Sequence, residues 1–317
     1  MSPHGCLVFV SVLAATTCIV VFFSVNESYP YLSFRSEKIQ YRLKSELNSS
    51  ILLIDSFIFN GEPFAILRLN YLKDVVDHFV IVEFTETFQR TQKEMFLETY
   101  NETLEPFRAS GQLLSFALQF PLNLTNPWDL EAYQRNIGEI IIKQYFAKKK
   151  YILVVSDGDE LPSQYFYRSA QNNYAQFNTI HHLDQVWLYY SFQWTLSGRW
   201  HSSFVLNDIA METKNSLTFN QIRFTLFDKK KVIPEAGWHC SYCSSTADIV
   251  RKLKSFSHTE YNSEWFTNES RINQSISNGL DLFGRKDYIY KLSRYNGSDG
   301  YPDVGYVKNM DFTFLHN

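Results

Sequence analysis

The turn at residues 157–160 places three carboxylates, Asp157, Asp159 and Glu160, around Gly158, directly after a run of apolar residues. An aspartate at the tip of a buried strand loses its hydration unless a positive charge lies beside it. Gly158 gives the chain enough freedom for both aspartates to converge on one point. Oxygen ligands suit a hard cation, Mn²⁺ or Mg²⁺, which can also hold a diphosphate. We therefore predict that Asp157 and Asp159 bind a divalent metal, although a solvated Asp-Gly turn is the ordinary alternative.

The elements that must position this turn follow from the spacing of apolar residues. The pattern predicts strand 51–59, helix 62–72, strand 77–83, strand 112–118, helix 129–146 and strand 151–155. This alternation predicts an α/β protein with a largely parallel sheet and helices on both faces. In such sheets ligands bind beyond the carboxyl ends of the strands, which is where the acidic turn lies.

Length and composition limit the class of protein. The chain has 317 residues, enough for one large domain or two smaller ones. Charged residues make up 20% and hydrophobic residues 45%, which excludes a disordered or fibrous protein. The formal net charge of -3 gives no reason to expect a nucleic-acid partner.

The amino-terminal segment 6–25 contains no charged residue and is long enough, as a helix, to cross the hydrocarbon core of a membrane. Its length favours a retained signal anchor over a cleaved signal peptide. We therefore predict a short cytoplasmic head at 1–5, a transmembrane helix at 6–25, a polar stem at 26–48 and a single folded domain at 49–317.

Two features disagree about the side of the membrane on which this domain lies. Four basic residues between positions 35 and 44 follow the span and none precedes it, which by the positive-inside rule would leave the domain in the cytosol. Seven Asn-x-Ser/Thr triplets favour the lumen, because they are acceptors for N-glycosylation. They begin at Asn26, Asn48, Asn101, Asn123, Asn268, Asn273 and Asn296.

Cys240 and Cys243 are the only cysteines outside the predicted span, and three interpretations are open for them. A zinc site of four cysteines would need two more in this part of the chain. A redox pair usually lies just after a first strand, whereas this pair lies late in the chain. A local structural disulfide is the favoured interpretation in an oxidising lumen.

Several blocks of the sequence resemble glycosyltransferase family 17. They are Phe59-Asn60-Gly61-Glu62 with Arg68 and Leu72 after it, Asp74 to Glu83, Trp128 with Glu131 and Arg135, Ser156 to Pro162, Ala236 to Cys243, and Lys252 to His258. The blocks span residues 51 to about 315 in the order of the family. The string Gly-Trp-His-Cys-Ser-x-Cys is the most distinctive of them.

The resemblance implies a GT-A fold, a Rossmann-like mixed sheet flanked by helices, in a single-pass type II Golgi protein with a lumenal catalytic domain. It implies metal-dependent, inverting transfer of N-acetylglucosamine from UDP-N-acetylglucosamine to a mannose of a glycoprotein N-glycan, in β-1,4 linkage. Aromatic and β-branched residues after Gln185 would build the acceptor side. The alternatives are a transferase of the same fold with another donor or acceptor, and a catalytically silent glycan-binding protein.

The resemblance also suggests roles for five charged residues. Glu62, Arg68 and Glu83 fall near the ends of the first two predicted strands, where a GT-A sheet holds the nucleoside. Arg135 precedes the strand of the acidic turn and would face the diphosphate, and Glu160 would lie beside the metal or the ribose. An ordinary ion pair or a solvated position is the alternative for each.

Inversion by direct displacement needs a base that takes the proton of the acceptor hydroxyl. The candidates after the acidic turn are Glu260 and His239, of which we predict Glu260 first. A surface glutamate and a structural histidine are the ordinary alternatives.

Overall fold

The computed structural model describes residues 9–14, 17–22, 51–214, 216–225, 231–287 and 291–294. The described strands are β1 (Phe9–Ala14), β2 (Thr17–Phe22), β3 (Leu52–Ile58), β4 (His78–Phe84), β5 (Leu113–Leu118), β6 (Tyr151–Asp157), β7 (Glu160–Pro162), β8 (His181–Tyr189), β9 (Ser191–Trp200), β10 (Phe204–Asn207), β11 (Val232–Ser241) and β12 (Ser293–Arg294). The described helices are α1 (Pro63–Leu72), α2 (Phe96–Thr99), α3 (Asn101–Ala109), α4 (Pro127–Tyr145), α5 (Gln164–Asn172), α6 (Asp208–Thr213), α7 (Phe219–Arg223), α8 (Thr246–Leu253) and α9 (Glu269–Asn278).

The described backbone of the amino-terminal segment forms two strands where the sequence predicts one helix. β1 and β2 pair antiparallel, and both are rich in β-branched residues, which favour extended backbone. The transmembrane helix over 6–25 is therefore not shown. Within the described part of the chain, no helix is both long and apolar enough to cross a membrane. The predicted head at 1–5 and stem at 26–48 lie outside the described residues.

One mixed sheet flanked by helices forms the centre of the folded part. Its strands follow the order β12-β9-β8-β10-β6-β3-β4-β5, and β11 pairs with both β8 and β7. The four strands β6, β3, β4 and β5 are parallel, whereas β10 is antiparallel to both of its neighbours. The six elements predicted between residues 51 and 155 are present, and no end differs from its prediction by more than two residues.

The parallel strands are covered on both faces, as their nearly continuous apolar sequences predict. Successive residues of β6 enter different cores because side chains alternate along a strand. Ile152 and Val154 pack in the core that contains residues of α1 and α5. Leu153 and Val155 pack in the core that contains residues of α4, α6 and α7.

The order of the strands reverses between β3 and β6. The chain continues from β3 to β4 and β5 on one side, and β6 lies on the other side of β3. The loops after β3 and β6 therefore diverge and leave a crevice at the carboxyl ends of these strands. The loop after β3 contains Glu62, and the loop after β6 contains the acidic turn.

Gly237 allows β11 to lie against β7, the strand that follows the acidic turn. A Cβ atom at Gly237 would lie 2.1 Å from the carbonyl oxygen of Leu161, and its φ of +144° disfavours other residues. With glycine there, the two strands pair so that His239 lies opposite Glu160. This pairing brings the Gly-Trp-His-Cys string beside the acidic turn.

Candidate active site

A cleft of ≈ 410 Å³ opens at the carboxyl ends of β3 and β6. Its charged lining residues include Glu62, Glu131, Asp157, Asp159, Arg223 and Lys252. Its aromatic lining residues include Trp128, Trp187, Tyr189, Trp200, Tyr242 and Tyr261. The cleft thus combines acidic and basic side chains with aromatic ones, of which Trp187 and Tyr189 come from β8 and Trp200 comes from β9.

Asp157 lies in the cleft with both carboxylate oxygens bonded to arginines. Arg135, on α4, donates to Oδ1 at 2.9 Å, and Arg223, at the end of α7, donates to Oδ2 at 2.5 Å. Burial raises the pKa of Asp157, and the two guanidinium groups oppose that shift. Arg135 therefore contacts the acidic turn through the carboxylate of Asp157, and it is not itself among the described residues that line the cleft.

Asp159 keeps one carboxylate oxygen outside its ion pair. Lys252, on α8, lies 2.6 Å from Oδ2, whereas Oδ1 faces Nδ1 of His239 at 3.6 Å. Burial favours the neutral acid, but Lys252 and His239 hold the pKa of Asp159 below its usual range. The backbone N–H of Cys240 also donates to the carbonyl oxygen of Asp159 at 2.9 Å, which fixes the turn against β11.

Glu160 supports the turn from the interior and is not among the residues that line the cleft. Its carboxylate accepts from Arg223 at 2.8 and 3.0 Å, from Trp200 at 2.5 Å and from Ser203 at 2.5 Å. Burial would raise its pKa, yet Arg223 holds the pKa of Glu160 well below its usual range. These contacts give Glu160 a structural role instead of the predicted place beside the metal or ribose.

Gly158 is needed for space and not for the backbone freedom that we predicted. A Cβ atom there would lie 3.2 Å from Oε2 of Glu62 and 3.3 Å from the carbonyl oxygen of Ile58. The residue has no left-handed φ. Glycine therefore allows the loop after β3 and the acidic turn to approach each other closely.

Arg68 does not bind in the cleft, in contrast to its predicted contact with the nucleoside. Its side chain is fully buried in α1 and forms an ion pair with Asp55 of β3, with N–O distances of 2.7 and 2.5 Å. It also donates to the carbonyl oxygens of Asp157 at 2.9 Å and Glu160 at 2.7 Å. Arg68 therefore holds the main chain of the acidic turn.

Glu83 also differs from its predicted nucleoside contact. It is fully buried in β4 and accepts from the backbone N–H groups of Phe96 at 2.9 Å and Leu97 at 2.8 Å. Lys93 supplies the opposing charge. Glu83 thus fixes the start of α2, because the first N–H groups of a helix lack partners within the helix.

Glu62, in the loop after β3, is a predicted binding residue that does line the cleft. Its Oε2 accepts from the backbone N–H of Asn60 at 2.8 Å. No described Lys or Arg side chain lies within ion-pair distance of it, unlike the carboxylates of Glu131, Asp157 and Asp159. Burial raises the pKa of Glu62.

The two predicted bases lie in different places. Glu260 has a side chain that is 56% exposed, pairs with His258 and is not among the described residues that line the cleft. This placement counts against Glu260 as the base, although its partner His258 lines the cleft. His239 does line the cleft, and its ring stacks on Trp200 with centroids 4.1 Å apart. Burial lowers the pKa of His239, which favours the neutral ring.

The sequence did not indicate the two basic side chains that neutralise the turn, Arg223 and Lys252. Lys252 is part of one of the family blocks, but its neighbour Lys254 carries the same charge and nothing in the sequence distinguishes them. Arg223 lies outside every block. The i,i+4 pair of Glu131 and Arg135 on α4 was visible as a spacing, and it is formed at 2.9 Å.

Cys240 and Cys243 form a disulfide, as the favoured interpretation of this pair predicts. The bond closes the end of β11 directly after His239. Within the described residues, no group of three or more His, Cys, Asp or Glu side chains is placed to hold a metal.

The sequence model of Glycosyltransferase family 17 matches residues 39–293 of the chain. The chain therefore belongs to glycosyltransferase family 17, and it is a glycosyltransferase. A search of curated proteins finds no match.

Two solved structures have a distant likeness to the chain. One is a 4-diphosphocytidyl-2C-methyl-D-erythritol synthase from Anaerococcus prevotii, with 11% identity, a TM-score of 0.33, and coverage of 58% of this chain and 86% of that one. The other is a Bacillus anthracis protein described as a glucose-1-phosphate thymidylyltransferase in complex with a sucrose, with 10% identity, a TM-score of 0.35, and coverage of 59% and 88%. Scores this low do not establish a shared fold.

Proposed function

We propose that this enzyme transfers N-acetylglucosamine from UDP-N-acetylglucosamine, with inversion and with a divalent cation, to a mannose of a glycoprotein N-glycan in β-1,4 linkage. The observation that carries the proposal is the convergence of Asp157, Asp159, Arg223 and Lys252 in one cleft at the strand-order reversal. A parallel sheet binds nucleotides at this position. The GT-A fold type, the donor and the acceptor come from the family resemblance.

The charged side of the cleft suits a nucleoside diphosphate. Lys252 and Arg223 are cations that line the cleft and can contact phosphate oxygens. Asp159 retains one oxygen for a hard cation such as Mn²⁺ or Mg²⁺. When bound, such a cation would neutralise the charge that develops on the departing diphosphate.

The transfer exchanges one bond for another at the anomeric carbon. The acceptor oxygen forms a bond to this carbon while the bond from the carbon to the diphosphate oxygen breaks, so the configuration inverts. The acceptor proton needs a base, and UDP leaves as the anion. We assign the base to Glu62, because it is the lining carboxylate without an ion-paired basic partner among the described residues.

The aromatic wall suits the sugars of the acceptor. Trp187 and Trp200 line the cleft, and aromatic rings can bury the apolar faces of sugars. The predicted acceptor side after Gln185 corresponds to β8 and β9, which carry these two tryptophans.

We further propose the lumenal, type II Golgi placement that the resemblance implies. Four of the seven triplets lie in the described part of the chain, and their asparagines are exposed, namely Asn101, Asn123, Asn268 and Asn273. The disulfide between Cys240 and Cys243 fits an oxidising compartment.

The test is a donor and acceptor screen with the full-length protein in detergent. We expect Mn²⁺-dependent release of UDP from UDP-N-acetylglucosamine that requires an N-glycan with terminal or core mannose, and mass spectrometry identifies the product. The double variant Asp157→Ala/Asp159→Ala should lose activity. Asp184→Asn is the control, since Asp184 also pairs with two basic side chains but is not among the described residues that line the cleft. Transfer from a different UDP-sugar would show that the proposed donor is wrong. Full activity of the double variant would contradict the assignment of the active site to the acidic turn.

A further inference from the structure

Trp265 is a large apolar side chain that is held at the surface of the protein. It is 55% exposed, whereas most tryptophans in folded proteins are largely buried. The guanidinium carbon of Arg271 lies 3.9 Å from the centre of its ring, and the ring of Phe266 meets it edge to face with centroids 4.7 Å apart. Arg271 therefore covers one face of the indole, and the exposed area lies on the opposite face.

Arg271 is itself fixed, so the indole keeps its direction. Its guanidinium donates to the carbonyl oxygens of Trp265 at 2.7 Å, Leu282 at 2.8 Å and Phe266 at 3.3 Å. A side chain that is already ordered loses little conformational entropy when it makes a further contact. The indole is thus a preorganised platform, and aromatic rings can bury the apolar faces of sugars.

An acceptor sequence for N-glycosylation begins three residues after this platform, at Asn268-Glu269-Ser270. The exposed side chain of Asn268 caps α9, because its Oδ1 accepts from the backbone N–H of Arg271 at 2.9 Å. This bond uses the amide oxygen and leaves Nδ2, the atom to which a glycan is attached, on the side away from the helix. Arg271 therefore links the two groups, since its main chain contacts Asn268 and its side chain contacts Trp265.

The triplet at Asn123 offers a comparison. Phe120 also lies three residues before its asparagine, but Phe120 is 3% exposed and stacks on Phe84 with centroids 3.9 Å apart. A glycan on Asn123 would therefore find no accessible aromatic face at this position. The triplet at Asn268 combines the acceptor sequence with an accessible and ordered ring.

We propose that Asn268 carries an N-linked glycan whose first N-acetylglucosamine packs on the exposed face of Trp265. In the attachment step, Nδ2 forms a bond to the anomeric carbon of an oligosaccharide carried on a lipid diphosphate, and the bond from that carbon to the diphosphate oxygen breaks. Nδ2 loses a proton and the lipid diphosphate leaves. The inference rests on the lumenal placement in the proposed function, because this donor is used in the lumen.

The test compares four forms of the full-length protein in detergent, expressed in cells that attach N-glycans. They are the parent, Ser270→Ala, Trp265→Leu and the double variant. Ser270→Ala removes the acceptor sequence but keeps Asn268 as the cap of α9. We expect Ser270→Ala to lower the midpoint of thermal unfolding by about 2–4 °C in the parent and by less than about 1 °C in Trp265→Leu.

Mass spectrometry of tryptic peptides measures the occupancy of the site. The peptide 255–271 contains the triplet at Asn268 and no other, so a glycan on it is assigned directly. We expect this glycan in the parent and in Trp265→Leu. Thr125→Ala, which removes the triplet at Asn123, is the matched control and should shift the midpoint equally in both of these proteins.

An unoccupied Asn268, or an equal effect of Ser270→Ala with and without Trp265, overturns the inference. A higher KM for the acceptor glycan in Trp265→Leu, without any dependence of the midpoint on Ser270, would instead assign the ring to the acceptor. Occupied Asn268 with the expected midpoints supports the inference even where no transfer of N-acetylglucosamine is measured. In that case only the proposed reaction fails.

Discussion

Arg68 donates from Nη1 to the main-chain oxygen of Asp157 at 2.9 Å, although Arg68 is not among the described residues that line the cleft. The same nitrogen donates to the carbonyl oxygen of Glu160 at 2.7 Å. The rest of its guanidinium is bonded to Asp55 and Ser156. A single buried cation therefore connects β3, α1 and both ends of the acidic turn.

Replacing this cation should destabilise the whole fold. Arg68→Met leaves the carboxylate of Asp55 buried without its partner, so we expect the free energy of unfolding to fall by about 3–5 kcal/mol. Urea denaturation followed by circular dichroism measures the loss. Arg168→Met, on the exposed side of α5, is the control and should change the value by less than about 0.5 kcal/mol. Equal stability of both variants would exclude the structural role of Arg68.

The stability of the protein should depend on the charge of Glu160. Arg223 holds the pKa of Glu160 below its usual range, so the carboxylate contributes stability above the pKa of an unfolded glutamate, about 4.3. That contribution is lost as the pH falls through the folded pKa. Glu160→Gln should therefore be less stable than the parent at pH 7 and should lose less of its stability between pH 5 and pH 3. Urea denaturation at a series of pH values measures the free energy of unfolding of both proteins. If the free energies of unfolding of parent and variant changed with pH in parallel, the charge of Glu160 would not contribute to stability.

Glu62 should affect turnover more than nucleotide binding. Glu62→Gln removes the proposed base, so we expect kcat to fall by about 10²–10⁴-fold while UDP affinity changes little. Burial raises the pKa of Glu62, so the parent should lose kcat on the acid side of its pH profile at a pH above about 4.3, the pKa of a free glutamate. Steady-state kinetics across the pH range measures both effects. Glu260→Gln is the control and should keep the parental kcat; a loss there with none in Glu62→Gln would reverse the assignment.

Gly237 should not accept a side chain. Gly237→Ala would place Cβ 2.1 Å from the carbonyl oxygen of Leu161, and we expect it to cost about 1–3 kcal/mol and to reduce activity by moving His239. Thermal unfolding and UDP release are the measurements. Gly198→Ala is matched to it, because the nearest atom to that Cβ lies at 3.5 Å in Trp187. If the two alanine variants behave alike, the close approach of β11 to β7 does not matter.

The sequence was sufficient to predict the parallel half of the sheet and the position of the acidic turn. Continuous apolar runs and helical spacing are local signals, and they located β3, α1, β4, β5, α4 and β6. The three carboxylates of the turn, however, look equivalent in the sequence. The contacts of Glu160 with Arg223, Trp200 and Ser203 make that residue structural, while Asp157 and Asp159 line the cleft.

Partners that are distant in the chain account for the site residues that sequence analysis missed or misplaced. Arg223 and Lys252 act on the turn through contacts that no local pattern encodes. Arg68 and Glu83 lie near strand ends, as predicted, but each is directed into the interior by a buried partner. Glu260 looked suitable by its place in the sequence, yet it lies on an exposed 3-10 turn.

The separation of the turn from its basic partners affects how the protein is made. Arg223 and Lys252 follow Asp157 and Asp159 by 66 and 93 residues. At about 5–20 residues per second, the ribosome adds these cations on the order of 3–20 s after the turn. Arg68 and Arg135 precede the turn in the chain, so during that interval the turn has only part of its positive charge. A nascent chain that stops before Lys252 would therefore have the centre of its sheet, but Asp159 would lack its lysine partner.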